Sequence, residues 1–218
     1  MSGSFPIFDA VCEHLIGAIA PARALDIGAG AGKYGRLLAA AAPACSCVAL
    51  EVEAEFVERF ALHELYQRVE VAEAATWCAA HTEETFDLVI AGDCLQQMPK
   101  SAGLDLIDAM LYRAAYLLLV VPEFVVQGAV EGRASSVHRA AWSERDLQWH
   151  DLWAWDNTRS VTLLLLRGYR PGPLALETLV REANDAHLPV RDYDGTTLVR
   201  PCRLRLVDHA REAVYRPR

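Results

Sequence analysis

The sequence predicts an α/β protein built around an open, mostly parallel sheet. Short apolar runs alternate with helix-forming segments as far as Pro122, and no linker rich in glycine and serine interrupts them. The first apolar run, residues 25–27, leads straight into a turn with three glycines and then into a helix-forming stretch at residues 36–42. Such a turn offers bare backbone and the N–H groups of a helix N-terminus to a ligand. We therefore expect a nucleotide or nucleoside site at the carboxyl end of the first strand.

The other elements of this sheet follow from the same patterns. Residues 5–20 carry apolar side chains at helical spacing, and Pro21 ends that helix. Four further buried strands are predicted at residues 47–51, 68–74, 86–93 and 117–122. The last of them is apolar throughout, as expected for a strand that is covered on both faces.

Acidic residues end three of these strands. Glu51 ends the second strand about 20 residues after the glycines, where an acid in nucleoside-binding sheets accepts both ribose hydroxyls. Val52 would then lie against the adenine. Glu73 follows the third strand and Asp93 ends the fourth. Each acid alone could cap a helix or end a strand in solvent, but their shared position at successive strand ends indicates one site.

The spacing of the glycines bears on which nucleoside binds. Gly28, Gly30 and Gly32 lie two residues apart, and the third glycine of the dinucleotide fingerprint would fall at Lys33. Asp26 precedes the turn, directly beside the expected ligand. A carboxylate there would repel a pyrophosphate but suits a cationic amino-acid group or a ribose hydroxyl. These observations favour S-adenosylmethionine over NAD as the cofactor.

Residues 25–35 resemble the first motif of the class I S-adenosylmethionine-dependent methyltransferases, and the resemblance extends over about three-quarters of the chain. It implies a doubly wound sheet of seven strands in which the last strand is antiparallel. Residues 151–155 and 160–167 fit the closing antiparallel hairpin of that sheet. The family usually has Asp-Ala where this chain has Glu73 and Ala74, at the contact with the adenine amine. Tyr34 would reach the amino-acid end of the cofactor, or simply pack the first helix after the turn. The predicted cofactor-binding residues are Asp26, Gly28, Gly30, Gly32, Tyr34, Glu51, Val52, Glu73, Ala74 and Asp93.

The segment after the fifth strand, residues 122–142, is the predicted substrate loop, because ligands of open sheets bind outside the carboxyl ends of the strands. Its His138 is the predicted general base, since a neutral imidazole can accept a proton near pH 7; the alternative is a loop histidine bonded to backbone. Asp93 is the second predicted catalytic residue. The predicted substrate contacts are Gln97, Arg133 and Trp142. Trp142 would stack on an acceptor ring, although packing explains most of the tryptophans nearby.

The C-terminal quarter shows no motif of that family. We predict a cofactor-binding methyltransferase domain at residues 1–168 and an appendage at residues 169–218. The appendage would contain a helix at residues 174–187 and a hairpin at residues 190–207, whose turn is marked by an Asp-Gly pair. It would act as a lid or as the contact of a homodimer.

The amino-acid composition indicates which classes of binding partner to expect. The net charge of −8 disfavours nucleic acid, although the segment from Val199 onwards has six arginines against two acids. No apolar run of 18 residues and no signal-peptide pattern occur, and the six cysteines show no paired CxxC spacing, so we expect a cytoplasmic protein that does not bind membranes. No Asp-Asp or His-x-x-x-His pattern accompanies Asp93. No metal site is therefore predicted, and use of a divalent cation stays open.

These observations lead to a predicted activity. We expect methyl transfer from S-adenosylmethionine to a small molecule, most plausibly at a hydroxyl of a saccharide or secondary metabolite. Protein methylation at nitrogen is disfavoured because no Asn-Pro-Pro-Tyr-like segment follows the fourth strand. Three alternatives remain: another displacement with the same cofactor, such as intramolecular alkyl transfer; a nicotinamide-dependent dehydrogenase; and a non-catalytic binding protein of the same fold.

Overall fold

Eight strands form one central sheet in the computed structural model, which describes residues 5–123, 127–158 and 160–209. The strands of the chain are β1 (Arg23–Ile27), β2 (Ser46–Glu51), β3 (Arg68–Val71), β4 (Phe86–Gly92), β5 (Ala114–Pro122), β6 (Leu152–Asn157), β7 (Val161–Arg167), β8 (Pro189–Arg191), β9 (Leu198–Pro201) and β10 (Arg205–Asp208). The order across the main sheet is β10-β6-β7-β5-β4-β1-β2-β3, while β8 and β9 pair only with each other. Strands β1 to β5 are parallel, and β7 and β10 run antiparallel to their neighbours.

Helices cover both faces of the sheet. They are α1 (Asp9–Ile19), α2 (Lys33–Ala41), α3 (Ala54–Arg59), α4 (Ala74–Ala80), α5 (Lys100–Leu111) and α6 (Leu176–Asp185). One apolar cluster joins α1, α2, α3 and α6 to one face, and a second joins α4 and α5 to the other. The predicted doubly wound, mostly parallel sheet with an antiparallel closing hairpin is therefore confirmed.

The predicted number of strands needs a correction, because the main sheet has eight strands rather than seven. Residues 205–207 were expected in the C-terminal hairpin, but they belong to β10 and pair with β6 instead, with Leu206 opposite Ala154. The hairpin itself ends at Pro201. Strand β10 covers the edge of the sheet that β6 would otherwise leave unpaired, and unpaired edges are sites of unwanted association.

The predicted appendage packs closely on the rest of the chain. Leu179, Val190 and Leu204 belong to the same buried cluster as α1 and the sheet. At the turn of the β8–β9 hairpin, the ring of Tyr193 lies edge-on against Phe5, with 4.6 Å between the centroids. The domain boundary at residue 168 stays a prediction, and the arginine-rich end of the chain beyond residue 209 lies outside the described residues.

The sheet order fixes where a ligand can bind. Successive connections run outwards in opposite directions from β1 and β4, which are neighbours in the sheet. In open α/β sheets this reversal opens a crevice at the carboxyl ends of the strands. Between β5 and β6, the described residues contain only two short 3-10 helices, Ala134–Ser136 and Glu144–Leu147. This irregular connection lies next to the crevice and supplies one of its walls.

Candidate active site

A cleft lies at the carboxyl ends of β1, β2, β4 and β5, where the sequence places the ligand site. Its walls come from the glycine turn after β1, the start of the β2–α3 connection, the segment after β4, and residues 127–138 of the β5–β6 connection. Nine of the predicted site residues line it: Gly28, Gly30, Tyr34, Glu51, Val52, Asp93, Gln97, Arg133 and His138. The other five, Asp26, Gly32, Glu73, Ala74 and Trp142, do not.

The glycine turn forms the floor beneath β1. Gly28 and Gly30 have φ angles of 74° and 52°, in the region that favours glycine. A methyl group on Gly28 would lie 2.6 Å from Cβ of Cys94, so this position also requires glycine for space. The amide of Gly30 donates to Oε2 of Glu51 at 2.7 Å. The turn is thereby joined to the end of β2.

Gly32 has a different role from the one predicted. Its φ of 76° places it at the start of α2, and a methyl group there would lie 2.6 Å from Cδ1 of Leu65. This glycine faces packed side chains rather than the cleft. It serves the close packing of α2 and not contact with a ligand.

Asp26 is also placed differently from the prediction. Its side chain is completely buried and accepts a hydrogen bond from Oη of Tyr66 at 2.5 Å. The same Tyr66 oxygen accepts from the amide of Gly35 at 2.9 Å. Burial raises the pKa of Asp26 to about 7, the Tyr66 donor opposes that rise, and the Glu51 carboxylate adds to it. The carboxyl group therefore supports the start of α2 from beneath the turn and does not line the cleft.

Glu51 occupies the position that the sequence predicts for a sugar-binding acid. The residue is 5% exposed, lines the cleft, and also accepts from the amide of Glu53 at 2.9 Å. Burial raises the pKa of Glu51, and backbone N–H donors from Glu53, Gly30 and Val52 oppose that rise. Val52 is exposed and lines the cleft beside it.

Glu73 and Ala74 lie away from the cleft wall. Glu73 is exposed and precedes α4, where its carbonyl accepts from the amide of Trp77 at 2.9 Å. Ala74 packs against the apolar cluster beneath α4. Neither residue lines the cleft, so the structure does not support the predicted adenine contact; Glu73 precedes α4, and its side chain makes no capping hydrogen bond there.

Tyr34 packs at the start of the first helix after the turn, and its contact with the amino-acid end of the cofactor stays a prediction. Its ring packs the start of α2 directly over the backbone of Gly92, where no side chain would fit. The residue is 2% exposed and lines the cleft, and within the described part of the chain its Oη has no hydrogen-bond partner. Burial is the main reason why the pKa of Tyr34 lies well above its usual value. The hydroxyl is therefore neutral and can donate to a ligand.

Asp93 ends β4 in an unusual backbone conformation. Its φ of 54° is rare for a residue other than glycine, and such residues cluster at functional sites. The amide donates to the carbonyl of Val120 at 2.8 Å, which fixes the residue between β4 and β5. The Asp93 carbonyl accepts from Nε2 of Gln97 at 3.3 Å.

His138 lines the cleft from the β5–β6 connection. Its amide donates to the carbonyl of Gln127 at 2.9 Å, and the next two amides, of Arg139 and Ala140, donate to the carbonyl of Gln96 at 2.7 and 3.1 Å. These bonds hold the loop that carries His138 against the segment after β4. The imidazole and the end of β4 thus share one cleft.

Arg133 lines the cleft but is held by protein carboxylates. Its guanidinium pairs with Glu55 at 2.8 Å and with Glu131, and it lies 4.9 Å from the ring centroid of Phe56. Nearby, the hydroxyl of Ser135 donates to a carboxylate oxygen of Glu53. Residues 127–138 are therefore tied to the β2–α3 connection across the cleft.

The predicted role of Trp142 is wrong. The residue is 1% exposed and packs in the apolar cluster beside α5, with its ring against Gly103. The ammonium of Lys100 lies 4.2 Å from the ring centroid. Trp142 closes the core where the β5–β6 connection has no long helix, and no face of the ring is available to an acceptor.

Comparisons with known proteins agree with this geometry. Residues 24–115 match a family model described as "Methyltransferase domain", which spans β1 to the start of β5. This part of the chain is therefore similar to a methyltransferase domain. No match to a curated protein sequence is found.

Solved structures similar to this chain share its fold at low sequence identity. The N-terminal domain of EvdMO1 with S-adenosylhomocysteine bound is 16% identical, with a TM-score of 0.57 over 77% of this chain and 82% of that one. The plantazolicin methyltransferase BpumL, in complex with a monoazolic desmethylPZN analogue and S-adenosylhomocysteine, is 11% identical, with a TM-score of 0.57 over 76% and 85%. The N-methyltransferase NodS from Bradyrhizobium japonicum WM9 in complex with S-adenosylhomocysteine is 16% identical, with a TM-score of 0.53 over 73% and 84%.

The cleft also contains residues that were not among the predicted site residues. Phe5, Glu53, Phe56 and Gln96 all line it. Glu53 and Phe56 follow the carboxyl end of β2 closely, a position that could have marked them. Phe5 precedes the N-terminus of α1 and reaches the cleft only through tertiary packing, so no local sequence pattern would have indicated it.

Metal-binding groups and membrane-spanning helices were both sought in the part of the chain that the structure describes. Within residues 5–123, 127–158 and 160–209, no group of three His, Cys, Asp or Glu side chains could hold a metal ion. Over the same ranges, no helix has the length and apolar character needed to cross a membrane.

Proposed function

We propose that this protein transfers the methyl group of S-adenosylmethionine to a hydroxyl of a small molecule, with a saccharide or a hydroxylated secondary metabolite as the acceptor. The observation that carries the proposal is the position of His138, which faces the same cleft as Glu51 and the end of β4. A general base and a sugar-binding acid in the same cleft are the two groups that this reaction needs from the protein.

The residues beneath β1 and β2 fit the cofactor. The bare backbone at Gly30, where an added Cβ would meet only the Gly28 carbonyl oxygen at 3.8 Å, leaves room for its amino-acid end, and the Glu51 carboxylate offers two acceptor oxygens to the ribose hydroxyls. The unpartnered Oη of Tyr34 is a buried donor beside the same turn, and a ligand that accepts its hydrogen bond would remove the cost of burying it. We call residues 28–34 and 51–52 the cofactor side of the cleft.

The residues after β4 and in the β5–β6 connection fit proton removal and acceptor binding. When bound, the cofactor supplies an electrophilic methyl group on a sulfonium whose sulfur keeps the bonding electrons as the new oxygen–carbon bond forms. The imidazole of His138 takes the hydroxyl proton, and the Asp93 carboxylate at the end of β4 favours the imidazolium that results. Alignment of donor and acceptor supplies most of the remaining rate enhancement. We call residues 92–97 and 127–138 the acceptor side.

The lining of the acceptor side supports an uncharged polar acceptor. Carboxamides and hydroxyls occur there, while the charge of Arg133 is already paired with Glu55 and Glu131. The EvdMO1 domain was also crystallised in the presence of D-fucose, at 16% identity to this chain. That structure supports saccharides as the first acceptors to test here.

The experiment is a methyl-transfer assay with a panel of mono- and disaccharides and hydroxylated aromatic compounds. The protein is incubated with S-adenosylmethionine and each acceptor, and products are identified by mass spectrometry. We expect S-adenosylhomocysteine together with an O-methylated product. Methylthioadenosine formed without any acceptor would indicate intramolecular alkyl transfer instead. Tight S-adenosylhomocysteine binding with no product from the panel would indicate a non-catalytic protein, and N-methylated products only would place the acceptor atom at nitrogen.

A lid role for the C-terminal appendage belongs to the same proposal. Tyr193 packs against Phe5, and Phe5 lines the cleft, so the hairpin turn supports one end of the site. We expect Tyr193→Ala to weaken S-adenosylhomocysteine binding about threefold, in line with the loss of one aromatic pair. Calorimetry on the full chain checks this, and unchanged affinity would leave the appendage without a role at the cleft.

A further inference from the structure

Most polar side chains on the acceptor side are already engaged within the protein. Gln97 donates to the Asp93 carbonyl, Gln127 donates to the carbonyl of Ser136, and Ser136 bonds Val130 and Arg133. The hydroxyl of Ser135 is bonded to Glu53. These groups would have to break a bond before they could bind an acceptor.

Gln96 is the exception among these carboxamides. The residue is 2% exposed and lines the cleft, and its Oε1 has no hydrogen-bond partner among the residues that the structure describes. Buried polar atoms are almost always hydrogen-bonded, because an unmade bond destabilises the fold. When such an unpartnered oxygen belongs to a residue that lines a ligand cleft, a hydrogen-bond donor on the ligand can supply the missing bond.

The backbone of Gln96 is fixed by the loop that carries the proposed base. Its carbonyl accepts from the amides of Arg139 and Ala140, the two residues after His138. The side chain starts from the 3-10 helix Leu95–Gln97, which follows Asp93 directly. Gln96 is therefore linked to both proposed catalytic residues. Asp93 lies three residues before it in the sequence, and the loop that carries His138 is hydrogen-bonded to its carbonyl.

We propose that Gln96, rather than Gln97 or Arg133, is the residue that recognises the acceptor, and that the acceptor presents a hydrogen-bond donor next to the reacting hydroxyl. This inference rests on the proposed function and names its substrate class more closely. A carboxamide oxygen only accepts, so it selects a second hydroxyl or an N–H on the acceptor. A polyol or saccharide with neighbouring hydroxyls meets this requirement, whereas an isolated phenol or a carboxylate beside the reacting group does not. Acceptors without the donor are discriminated against because they leave the buried oxygen unpaired.

The first test uses the protein without any acceptor. Gln96→Leu replaces the unpartnered carboxamide by an apolar group of similar size, so we expect the melting temperature to stay equal or rise by about 2–4 °C. Gln97→Leu is the matched substitution at a carboxamide that does have a partner, and we expect it to lower the melting temperature. A fall of several degrees in Gln96→Leu would show that this side chain has a structural role, and would overturn the proposal.

The second test separates the acceptor from the cofactor. In calorimetric titrations with S-adenosylhomocysteine, Gln96→Leu should keep its Kd within about twofold of the unmodified protein, and a tenfold loss would make Gln96 a cofactor contact instead. With an acceptor from the panel, Gln96→Leu should raise the acceptor KM about tenfold or more and leave the KM of S-adenosylmethionine unchanged. A deoxy analogue that lacks the neighbouring hydroxyl should lose the same factor with the unmodified protein and lose nothing further with Gln96→Leu. Failure of the unmodified protein to bind S-adenosylhomocysteine would contradict the proposed function, while the melting comparison would still decide the status of Gln96.

Discussion

The two sides of the cleft are built in different ways. The cofactor side consists of strand ends and backbone, and its shape depends on glycines at positive φ and on the Gly30 amide bonded to Glu51. The acceptor side consists of side chains from two segments far apart in sequence, and its Ser135 and Arg133 are bonded to Glu53 and Glu55, which follow β2. A site of the first kind follows from the fold and occurs in many proteins that share it. A site of the second kind depends on the side chains of this particular sequence. The predictions for His138, Glu51 and Arg133 below test whether cofactor affinity depends on one side of the cleft alone.

The largest expected effect is on the acceptor side. His138→Ala should lower turnover about a hundredfold to ten-thousandfold, because the hydroxyl proton loses its base. The Kd of S-adenosylhomocysteine should stay within about twofold, since the cofactor lies on the other side. Single-turnover kinetics with calorimetry measures both quantities. Turnover that survives the substitution removes His138 from the mechanism.

The corresponding change on the cofactor side is Glu51→Ala. We expect the Kd of S-adenosylhomocysteine to rise about a hundredfold, because charge-assisted hydrogen bonds contribute about 1.5–3 kcal/mol each. Glu53→Ala is the matched control, since its carboxylate binds Ser135 rather than the glycine turn, and its Kd should change less than threefold. Equal losses in both variants would mean that the two sides are not separable.

The sequence placed residues at the cleft correctly where their position follows from a strand end, on either side of the cleft. The glycine turn, Glu51 and Asp93 were predicted because each lies at a strand end, and strand ends can be recognised from short apolar runs. Trp142 was misassigned because burial depends on α5, which packs against it from 40 residues away. Gln96 and Gln97 look alike in sequence, and only the hydrogen bonds of the folded chain distinguish them. Asp26 faces Tyr66 for a reason that no local pattern contains.

Asp26 should make stability depend on pH. Burial raises its pKa to about 7 in the folded protein, so between about pH 4 and pH 7 the folded state keeps a proton that the unfolded state has lost. Stability should therefore fall as the pH rises through this window, by up to about 1.4 kcal/mol per pH unit. Urea unfolding of the unmodified protein and of Asp26→Asn at pH 5, 6, 7 and 8 measures the difference, and Asp26→Asn should remove this contribution. Parallel profiles for the two proteins would contradict the assignment.

The smallest effect should come from the link across the cleft. Arg133→Ala should cost about 1 kcal/mol or less in unfolding free energy, because the Glu55 and Glu131 carboxylates that it pairs with are largely exposed. We expect the acceptor KM to rise about threefold to tenfold, since the loop loses its tie to Glu55, and the affinity for S-adenosylhomocysteine to change little. Arg59→Ala, which removes a longer pair to Glu131 at 3.6 Å, is the control and should affect neither. A loss of cofactor affinity in Arg133→Ala alone would join the two sides.

We expect one cleft to bind the cofactor on its cofactor side and the acceptor on its acceptor side. A crystal structure of the full chain with S-adenosylhomocysteine tests this expectation. It should show the ribose hydroxyls on Glu51, the amino-acid end over Gly28 and Gly30, and a remaining cavity beyond the sulfur that is bounded by Gln96 and His138. A nucleoside bound elsewhere, or one whose own atoms occupy Gln96 and His138, would contradict it.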